Sequence, residues 1–320
     1  MNANWAGDIA KIVLPTPFAV GDVNVYLVKG EALSLIDVGP QTTEAKEVLD
    51  LSLAELGYSI EDIEQVILTH HHPDHAGMLD WMPDHIEIIG HPANERWLVR
   101  SEEFFEEHDR FFVNLFLQAG LPQEYFPFIK KLRYPLKFMG DRGLSRTIQE
   151  GDMIPGMQEW TVLDTPGHAQ SHLSFWREKD GVMIAGDHIL AEISPNPLIE
   201  PPEKEGGERP HPQLQYNQSL EKLLPLDISL AYTGHGEEIS GVQPLIHKRL
   251  KKQHERAMHV KELVKNDPQS LFSLCQKLFP AVYRKELGLT LSETQAQIDY
   301  LTARQEIVHE ERDGVLYYYC

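Results

Sequence analysis

The residues with the clearest chemical signal lie between positions 69 and 77, which read Thr-His-His-His-Pro-Asp-His-Ala-Gly. They contain the spacing His-x-His-x-Asp-His, formed by His70, His72, Asp74 and His75. Imidazole nitrogens and carboxylate oxygens are the ligands that borderline cations such as Zn²⁺ prefer. A chance cluster of surface histidines is the alternative, but it does not explain these residue types at this spacing. The run therefore predicts a metal site.

Three later segments supply further ligand residues. His168 follows a Thr-Pro-Gly turn, Asp187 directly follows a short apolar run, and His235 lies between two glycines. Small residues at such turns let the backbone approach a metal closely. Each segment alone is weak evidence, because similar tripeptides occur often by chance. Their value comes from following the first run in the same chain.

The elements before the first run place it at the end of a strand. Val23–Val28 and Leu33–Gly39 have strand signals, Thr43–Gly57 has apolar residues at helical spacing, and Glu64–Leu68 is a short β-branched apolar stretch typical of a buried strand. The ligands therefore lie in the loop that follows a buried strand, where side chains can converge. Asp37 ends one of these strands. It is either a residue that fixes a ligand histidine or a plain strand-end acid.

Together, these segments resemble the ligand set of the metallo-β-lactamase superfamily of hydrolases, over roughly residues 10 to 240. The resemblance implies an α+β fold, the αββα sandwich of that superfamily. It also implies a site for two divalent metal ions, with zinc favoured and manganese or iron left open. The implied ligands are His70, His72 and His168 for one ion, Asp74, His75 and His235 for the other, and Asp187 bridging both.

The chemistry that the resemblance implies is hydrolysis by a metal-bridging hydroxide. In two-metal sites the ions lie about 3.5–4 Å apart and lower the pKa of water, so that a hydroxide nucleophile exists near neutral pH. Asp74 is the candidate catalytic residue, because a carboxylate there can orient the nucleophile and pass a proton to the leaving group. His72 argues against the iron-binding, oxygen-reducing branch of the superfamily, which has an acidic ligand at that position.

The composition is that of a globular enzyme with an acidic surface. The 320 residues carry a formal net charge of −20, which disfavours binding to nucleic acid phosphates. No apolar stretch is long enough for a membrane span. The N-terminal residues lack the basic and apolar regions of a signal peptide, and Cys275 and Cys320 provide no disulfide framework. We therefore predict a cytoplasmic protein without a membrane partner.

The sequence suggests three parts. They are a catalytic domain over 1–241 with a helical insertion at 93–147, a connecting helix at 242–266 and a third domain at 267–320. The insertion either covers the site as a lid or packs its phenylalanines as a small core, and we favour the core. The proline-rich stretch 193–202 is expected to line the substrate entrance, with a plain connector as the alternative.

The third domain resembles a winged helix. Its predicted elements are helices over 270–278, 280–286 and 292–304, and a hairpin of 306–310 and 315–319 around Asp313-Gly314. Ser292 and Gln295 have the spacing of a capping box for the third helix. DNA recognition requires Lys and Arg facing the phosphates, whereas this helix and hairpin carry more acidic than basic residues. We therefore predict a packing or dimerisation module that binds no DNA.

Three histidines beside the ligands have other expected roles. His71 is expected to support the ligands from behind or to pack in the loop. His172 is expected to be a hydrogen-bonded strand residue. His188, which follows Asp187, is a candidate substrate-binding residue.

These observations favour a hydrolase of a small ester, thioester or lactone. The closest resemblance is to the lactamase-β-2-like group, which combines all seven ligands with a C-terminal winged helix. A metal-dependent endoribonuclease acting on single-stranded RNA is the alternative, against which the acidic charge weighs. A regulator without activity is disfavoured because every ligand position is filled. The expected partner is a small-molecule substrate, and a homodimer is left open.

Overall fold

The computed structural model describes residues 3–320. Its largest sheet has seven strands in sequential order. They are β1 (Trp5–Ala6), β2 (Ile9–Leu14), β3 (Val23–Lys29), β4 (Leu33–Ile36), β5 (Gln65–Ile67), β6 (Glu87–Gly90) and β7 (Arg146–Thr147). The first four strands pair antiparallel, and β4 to β7 pair parallel. The predicted order of two strands, a helix, a strand and the loop over residues 69–77, here called the metal loop, is confirmed.

A second sheet has four strands: β8 (Thr161–Asp164), β9 (Leu173–Arg177), β10 (Val182–Gly186) and β11 (Leu230–Thr233). β10 pairs parallel with β11 and antiparallel with β9, which pairs antiparallel with β8. One buried cluster joins Tyr26 and Ile67 of the first sheet to Phe175 and Ile184 of the second. The two sheets therefore pack face to face. Helix α1 (Thr43–Glu55) packs on the other face of the first sheet.

Short helices follow the strands of the first sheet. α2 (Pro73–Ala76) lies inside the metal loop, and α3 (Glu95–Val99) follows β6. α4 (Glu102–Gln118) begins only after a break, so the predicted helical insertion opens with two separate helices. The break is at Arg100, which has a left-handed backbone with φ of 49° and so cannot continue a helix. α5 (Ile129–Leu132) ends the helical part of the insertion.

The chain forms two compact units. The first contains the residues up to Arg100, Pro135–Pro195 and Lys222–Gln243, and holds both sheets described above. The second contains Ser101–Tyr134, Asn196–Glu221 and Pro244–Cys320. The three-part domain division made from the sequence stays a prediction.

The second unit is mainly helical. Its helices are α6 (Pro212–Leu223) and α7 (Val242–Val264), each of which lies almost entirely within it, and α8 (Leu271–Leu278) and α9 (Leu287–Ala303). β12 (Gln269–Ser270), β13 (Val308–Arg312) and β14 (Val315–Tyr319) form a small sheet. The predicted hairpin is confirmed, since Asp313 and Gly314 have φ of 51° and 79° and form its turn. Phe112 and Phe116 of the insertion join the hydrophobic cluster of this unit, which agrees with the core packing favoured for them from the sequence.

Two predictions about the C-terminal helices are wrong. Residues 280–286 form turns and not a helix, and α9 begins at Leu287, five positions before Ser292. Ser292 therefore caps no helix. Its hydroxyl accepts a hydrogen bond of 3.2 Å from the backbone N–H of Ile199, so a distant segment takes the side chain that the local pattern assigned to a cap.

Among the helices of residues 3–320, none has the length and the apolar character that a membrane span requires.

Candidate metal centre

Seven side chains from four segments of the chain converge in the first unit. Their ligand atoms form three overlapping groups, in each of which all atoms lie within 4.8 Å of one another. The groups are His70, His72 and His168; His70, His75 and Asp187; and Asp74, His75 and His235. These are the seven residues that the sequence singled out.

Each segment reaches the site from the end of a strand. The run 70–75 follows β5, His168 follows β8, Asp187 follows β10 and His235 follows β11. β10 and β11 are parallel, so their carboxyl ends lie at the same edge of the second sheet. Leu173 donates a backbone hydrogen bond of 2.7 Å to the carbonyl of Thr69, which joins the two sheets beside the site. The strand ends therefore bring distant segments together.

The first group has the character of a neutral nitrogen site. Nε2 of His70 lies 2.9 Å from Nδ1 of His72, so two nitrogens that can each act as a ligand face one another. Burial, followed by the neighbouring histidines, holds the pKa of both rings well below its usual value. Both rings are therefore neutral at pH 7, which is the form that binds a metal.

Asp187 lies between the two histidine groups. Its carboxylate oxygens are 3.4 Å from Nε2 of His75, 3.4 Å from Nε2 of His168 and 3.5 Å from Nε2 of His235. These separations exceed those of ordinary N–H···O hydrogen bonds. Within residues 3–320, Nε2 of His75, Nε2 of His235 and Oδ1 of Asp187 are buried and make no hydrogen bond. Buried nitrogen and oxygen atoms that can ligate a metal, and that face one another at such distances, fit a cation held between them.

The charge around Asp74, His75 and His235, hereafter the second group, also fits a cation. Burial acts to lower the pKa of His235, but the carboxylates of Asp187 and Asp74 outweigh it and raise the pKa to about 10. The same competition raises the pKa of His75 well above its usual value, through Asp187 and Asp37. The pocket therefore favours a positive charge, which a divalent ion provides without the proton.

Several partners behind the ligands fix their orientation. Asp37 accepts a hydrogen bond of 2.8 Å at Oδ2 from Nδ1 of His75, and its other oxygen accepts one of 2.7 Å from the backbone N–H of Thr69. The orienting role considered for Asp37 therefore has a geometric basis. His172 accepts a hydrogen bond of 3.0 Å at Nε2 from the backbone N–H of Asp187. Both contacts leave the ligand atoms facing the centre of the site.

Two further histidines were predicted to lie near the site. His71 is buried, with Nδ1 2.8 Å from the hydroxyl of Ser171 and its ring stacked on Trp97 at 4.5 Å. It therefore packs behind the ligand loop, as predicted. His188 is fully buried, and its ring lies 6.1 Å from that of His172. Its substrate-binding role stays a prediction.

Sequence reasoning missed two residues that shape the site. A Cβ added to Gly234 would lie 2.0 Å from Oδ1 of Asp187, so the site requires glycine there. Asn24, treated only as part of a strand, donates hydrogen bonds to the loop that carries His235. The glycines around His235 were a signal for the first of these, but nothing in the sequence distinguished Asn24 from other strand residues.

Known proteins are similar to this chain both in sequence and in fold. The chain is 45% identical to the probable metallo-hydrolase YqjP of Bacillus subtilis (strain 168) over 97% of each protein. A hydroxyacylglutathione hydrolase of Chelativorans sp. (strain BNC1) matches 29% of the chain and 33% of its own length, at 33% identity. The metallo-beta-lactamase family protein TTHA1429 from Thermus thermophilus superimposes with a TM-score of 0.80 and 28% identity, over 98% of each chain.

The family model for the metallo-β-lactamase superfamily matches residues 19–235, a segment that contains all seven converging side chains. This match and the similarity to TTHA1429 confirm the predicted α+β fold class, including the face-to-face sheets. The chain thus belongs to the metallo-β-lactamase superfamily, and it is a metallo-hydrolase.

Proposed function

We propose that the protein is a binuclear hydrolase of a small ester, thioester or lactone, within the lactamase-β-2-like group. The observation that carries the proposal is the position of Asp187 between two groups of histidines, within 3.5 Å of a ligand nitrogen on each side. A single ion would use only part of this set. The overlap of the three groups supports two ions that share Asp187.

The residues fit divalent zinc better than a harder cation, because most of the donors are imidazole nitrogens. His70, His72 and His168 would hold one ion, and Asp74, His75 and His235 would hold the other. When bound, such ions supply Lewis acidity and lower the pKa of water, so that a nucleophile is available near neutral pH.

Asp74 has the properties of a proton carrier. Its Oδ2 lies 3.4 Å from Nε2 of His235 at the edge of the site. Burial acts to raise the pKa of the carboxyl, but the charges of His75 and His235 lower it below its usual value. Asp74 is therefore a carboxylate at neutral pH. It can accept a proton from the attacking water and deliver it to the leaving oxygen or sulfur.

Two observations bear on the substrate class. The local similarity to a hydroxyacylglutathione hydrolase supports a thioester, although it covers under a third of the chain. The net charge of −20 disfavours RNA, because a protein that follows a phosphate backbone presents a positive groove to it. An endoribonuclease remains the second candidate function.

A substrate screen tests this proposal. Protein loaded separately with zinc, manganese or iron would be assayed with aryl esters, acyl thioesters, lactones and single-stranded RNA. We expect turnover of at least one of the small acyl substrates, its loss on chelation and its return when metal is added back. Cleavage of RNA that depends on added metal, together with inactivity on every acyl substrate, would favour the endoribonuclease.

We also propose that the C-terminal residues form a winged-helix-like packing module. In α9, the helix that would face DNA in a winged helix, nearly every side chain from Leu287 to Leu301 is buried. Asp299 pairs with Arg209 at 2.7 Å, and Glu293 pairs with Arg256, so its acidic residues bind other segments of the same unit. Duplex DNA should therefore bind only weakly, with a Kd of about 10⁻⁴ M or worse at physiological salt. Sub-micromolar binding would contradict the packing role.

A further inference from the structure

Three side chains of the first sheet bond to the loop Thr233–Gly236, which carries His235: Asn24 makes two hydrogen bonds, and Tyr26 and Lys11 make one each. The side-chain amide of Asn24 donates hydrogen bonds of 2.9 Å to the carbonyl of Thr233 and 2.9 Å to that of Gly236. The backbone N–H of Asn24 donates a third bond, of 2.7 Å, to the carbonyl of Gly234. Asn24 is 2% exposed and its bond to the Thr233 carbonyl is buried, so water does not compete for that bond.

The remaining polar groups of the loop have fewer partners. The carbonyl of Thr233 also accepts a hydrogen bond of 2.6 Å from the hydroxyl of Tyr26, and the carbonyl of His235 accepts one of 2.8 Å from the Thr233 hydroxyl. Nδ1 of His235 donates to the carbonyl of Asp22, 2.7 Å away, just before β3. Asn24 therefore binds three of the four carbonyls of the loop, and its near neighbour in sequence fixes the His235 ring.

We propose that Asn24 is a positioning residue that sets the affinity of the second metal site through His235. The inference rests on the proposed binuclear function. The backbone bond from Asn24 holds Gly234 beside the carboxylate of Asp187, and this bond does not depend on the Asn24 side chain. The two side-chain bonds hold the carbonyls of Thr233 and Gly236 on either side of Gly234 and His235. Their loss would displace the ring of His235, which ligates only the second ion.

The first metal group has no such dependence on Asn24. His70 and His72 lie in the loop after β5, and His168 lies in the loop after β8. Behind His70, the hydroxyl of Thr69 lies 3.0 Å from Nδ1, and the carbonyl of Thr69 accepts a hydrogen bond from Leu173. Loss of the Asn24 amide should therefore weaken the second site selectively, whereas a general loss of folding would weaken both sites.

The test compares metal binding by wild type and Asn24→Ala. We expect the wild type to bind two zinc ions, measured by elemental analysis and by competition with a chromophoric chelator. In Asn24→Ala one of the two Kd values should rise by about 10–100-fold, the usual effect of losing a partner behind a metal ligand. The other Kd should stay unchanged.

Gln65→Ala is the matched control. Gln65 is also buried in the first sheet and donates 2.7 Å hydrogen bonds to the Ser34 hydroxyl and the Pro155 carbonyl, at the start of β5 and away from the ligand loops. Loss of either amide should lower the melting temperature of the chelator-treated protein to a similar extent. Only Asn24→Ala should bind one of the two ions more weakly.

Tyr26→Phe provides a second variant should Asn24→Ala fail to fold. It removes one bond to the Thr233 carbonyl while keeping the ring, so it should weaken the second site in the same direction by a smaller factor. If wild type binds two ions and the folded variants bind both as tightly, the role of Asn24 is overturned and the binuclear proposal stands. If the wild type binds one ion at most, the binuclear proposal fails and this inference fails with it.

Discussion

The Asp37 carboxylate lies 2.8 Å from Nδ1 of His75 and holds that ring with Nε2 turned towards Asp187. Asp37 has a left-handed backbone with φ of 60°, an uncommon conformation for a residue other than glycine. Its two oxygens also accept hydrogen bonds of 2.7 Å from the backbone and the hydroxyl of Thr69. The carboxylate of Asp37, just after β4, thus binds both Thr69, at the start of the metal loop, and His75, near its end.

Asp37→Asn tests this connection. The amide has the same shape, but one of its two ends is a donor and cannot accept all of these bonds. We expect metal affinity to fall by about 10–100-fold, as is usual when a partner behind a ligand is lost. Competition with a chelator would measure it. An unchanged affinity would show that His75 keeps its orientation without Asp37.

Asp74→Ala and His71→Ala separate a ligand from its neighbour in the same loop. Asp74→Ala should reduce turnover by more than the ~10²–10⁴-fold that general acid–base help supplies, because a ligand is lost as well. His71→Ala removes the contacts with Ser171 and Trp97 and should cost about 10–100-fold at most. Steady-state kinetics and metal content would be measured for both. Equal losses with two ions retained in both variants would contradict the role of Asp74.

Gly234→Ala should damage the site although glycine contributes no ligand. The added Cβ would lie 2.0 Å from Oδ1 of Asp187 and 2.9 Å from Cε1 of His75, so one of the two must move. We expect the loss of at least one bound ion in elemental analysis.

Gly236→Ala is the control for this change. Gly236 has φ of 73°, but its Cβ would meet no atom within 4 Å. Alanine there costs about 1–2 kcal/mol of backbone strain and leaves the ligands in place. Retention of both ions in Gly234→Ala would mean that the loop relaxes without disturbing Asp187.

The two groups of histidines should differ in how their metal affinity depends on pH. The pKa of His235 is about 10 without metal, so an ion bound there must displace a proton, and its affinity should fall as the pH is lowered. The pKa values of His70 and His72 lie well below the usual value, so the first group should be much less sensitive between about pH 6 and about pH 8. Calorimetry in buffers of different ionisation enthalpy would count the protons released. Equal proton release at both sites would contradict this assignment.

The same raised pKa predicts how the stability of the metal-free protein depends on pH. A histidine whose pKa is raised on folding stabilises the folded state fully below its unfolded pKa of about 6.5, and this contribution is lost as the pH rises through about 10. The chelator-treated protein should therefore melt at a lower temperature at high pH than at neutral pH. The metal-loaded protein should show less of this decline, because the ion replaces the proton.

In the second unit, Asp299→Asn should destabilise the fold. The Asp299 carboxylate accepts hydrogen bonds of 2.7 Å and 2.9 Å from Arg209 and one of 2.8 Å from Gln295. Its loss leaves Arg209 largely buried without a counter-charge, which costs about 3 kcal/mol. Glu205→Gln, which removes the exposed partner of Arg110, should change stability by less than about 1 kcal/mol. Urea unfolding of both variants would measure the difference, and equal stabilities would contradict the importance of the buried pair.

The sequence by itself determined the local chemistry of the site. Four of the seven ligand residues lie within the six positions 70–75, where the loop after a strand constrains their relative positions, so their spacing carries the information. The other three lie in the turns that follow apolar strands, which the alternation of strand and turn signals also reveals. The order of the first strands and α1, the face-to-face sheets and the C-terminal hairpin follow from the same local patterns and from the resemblance that they support.

Only the tertiary structure decided which distant residues hold the ligands in place. Asn24 meets Gly236 across 212 positions of sequence, and His71 meets Ser171 across 100. Ser292 has the local pattern of a helix cap, yet it lies inside a helix that begins at Leu287. Its hydroxyl accepts a hydrogen bond from the backbone N–H of Ile199. Local propensities and spacing act over a few residues, whereas these contacts depend on how sheets and helices pack. A buried polar side chain takes whichever partner that packing brings within reach.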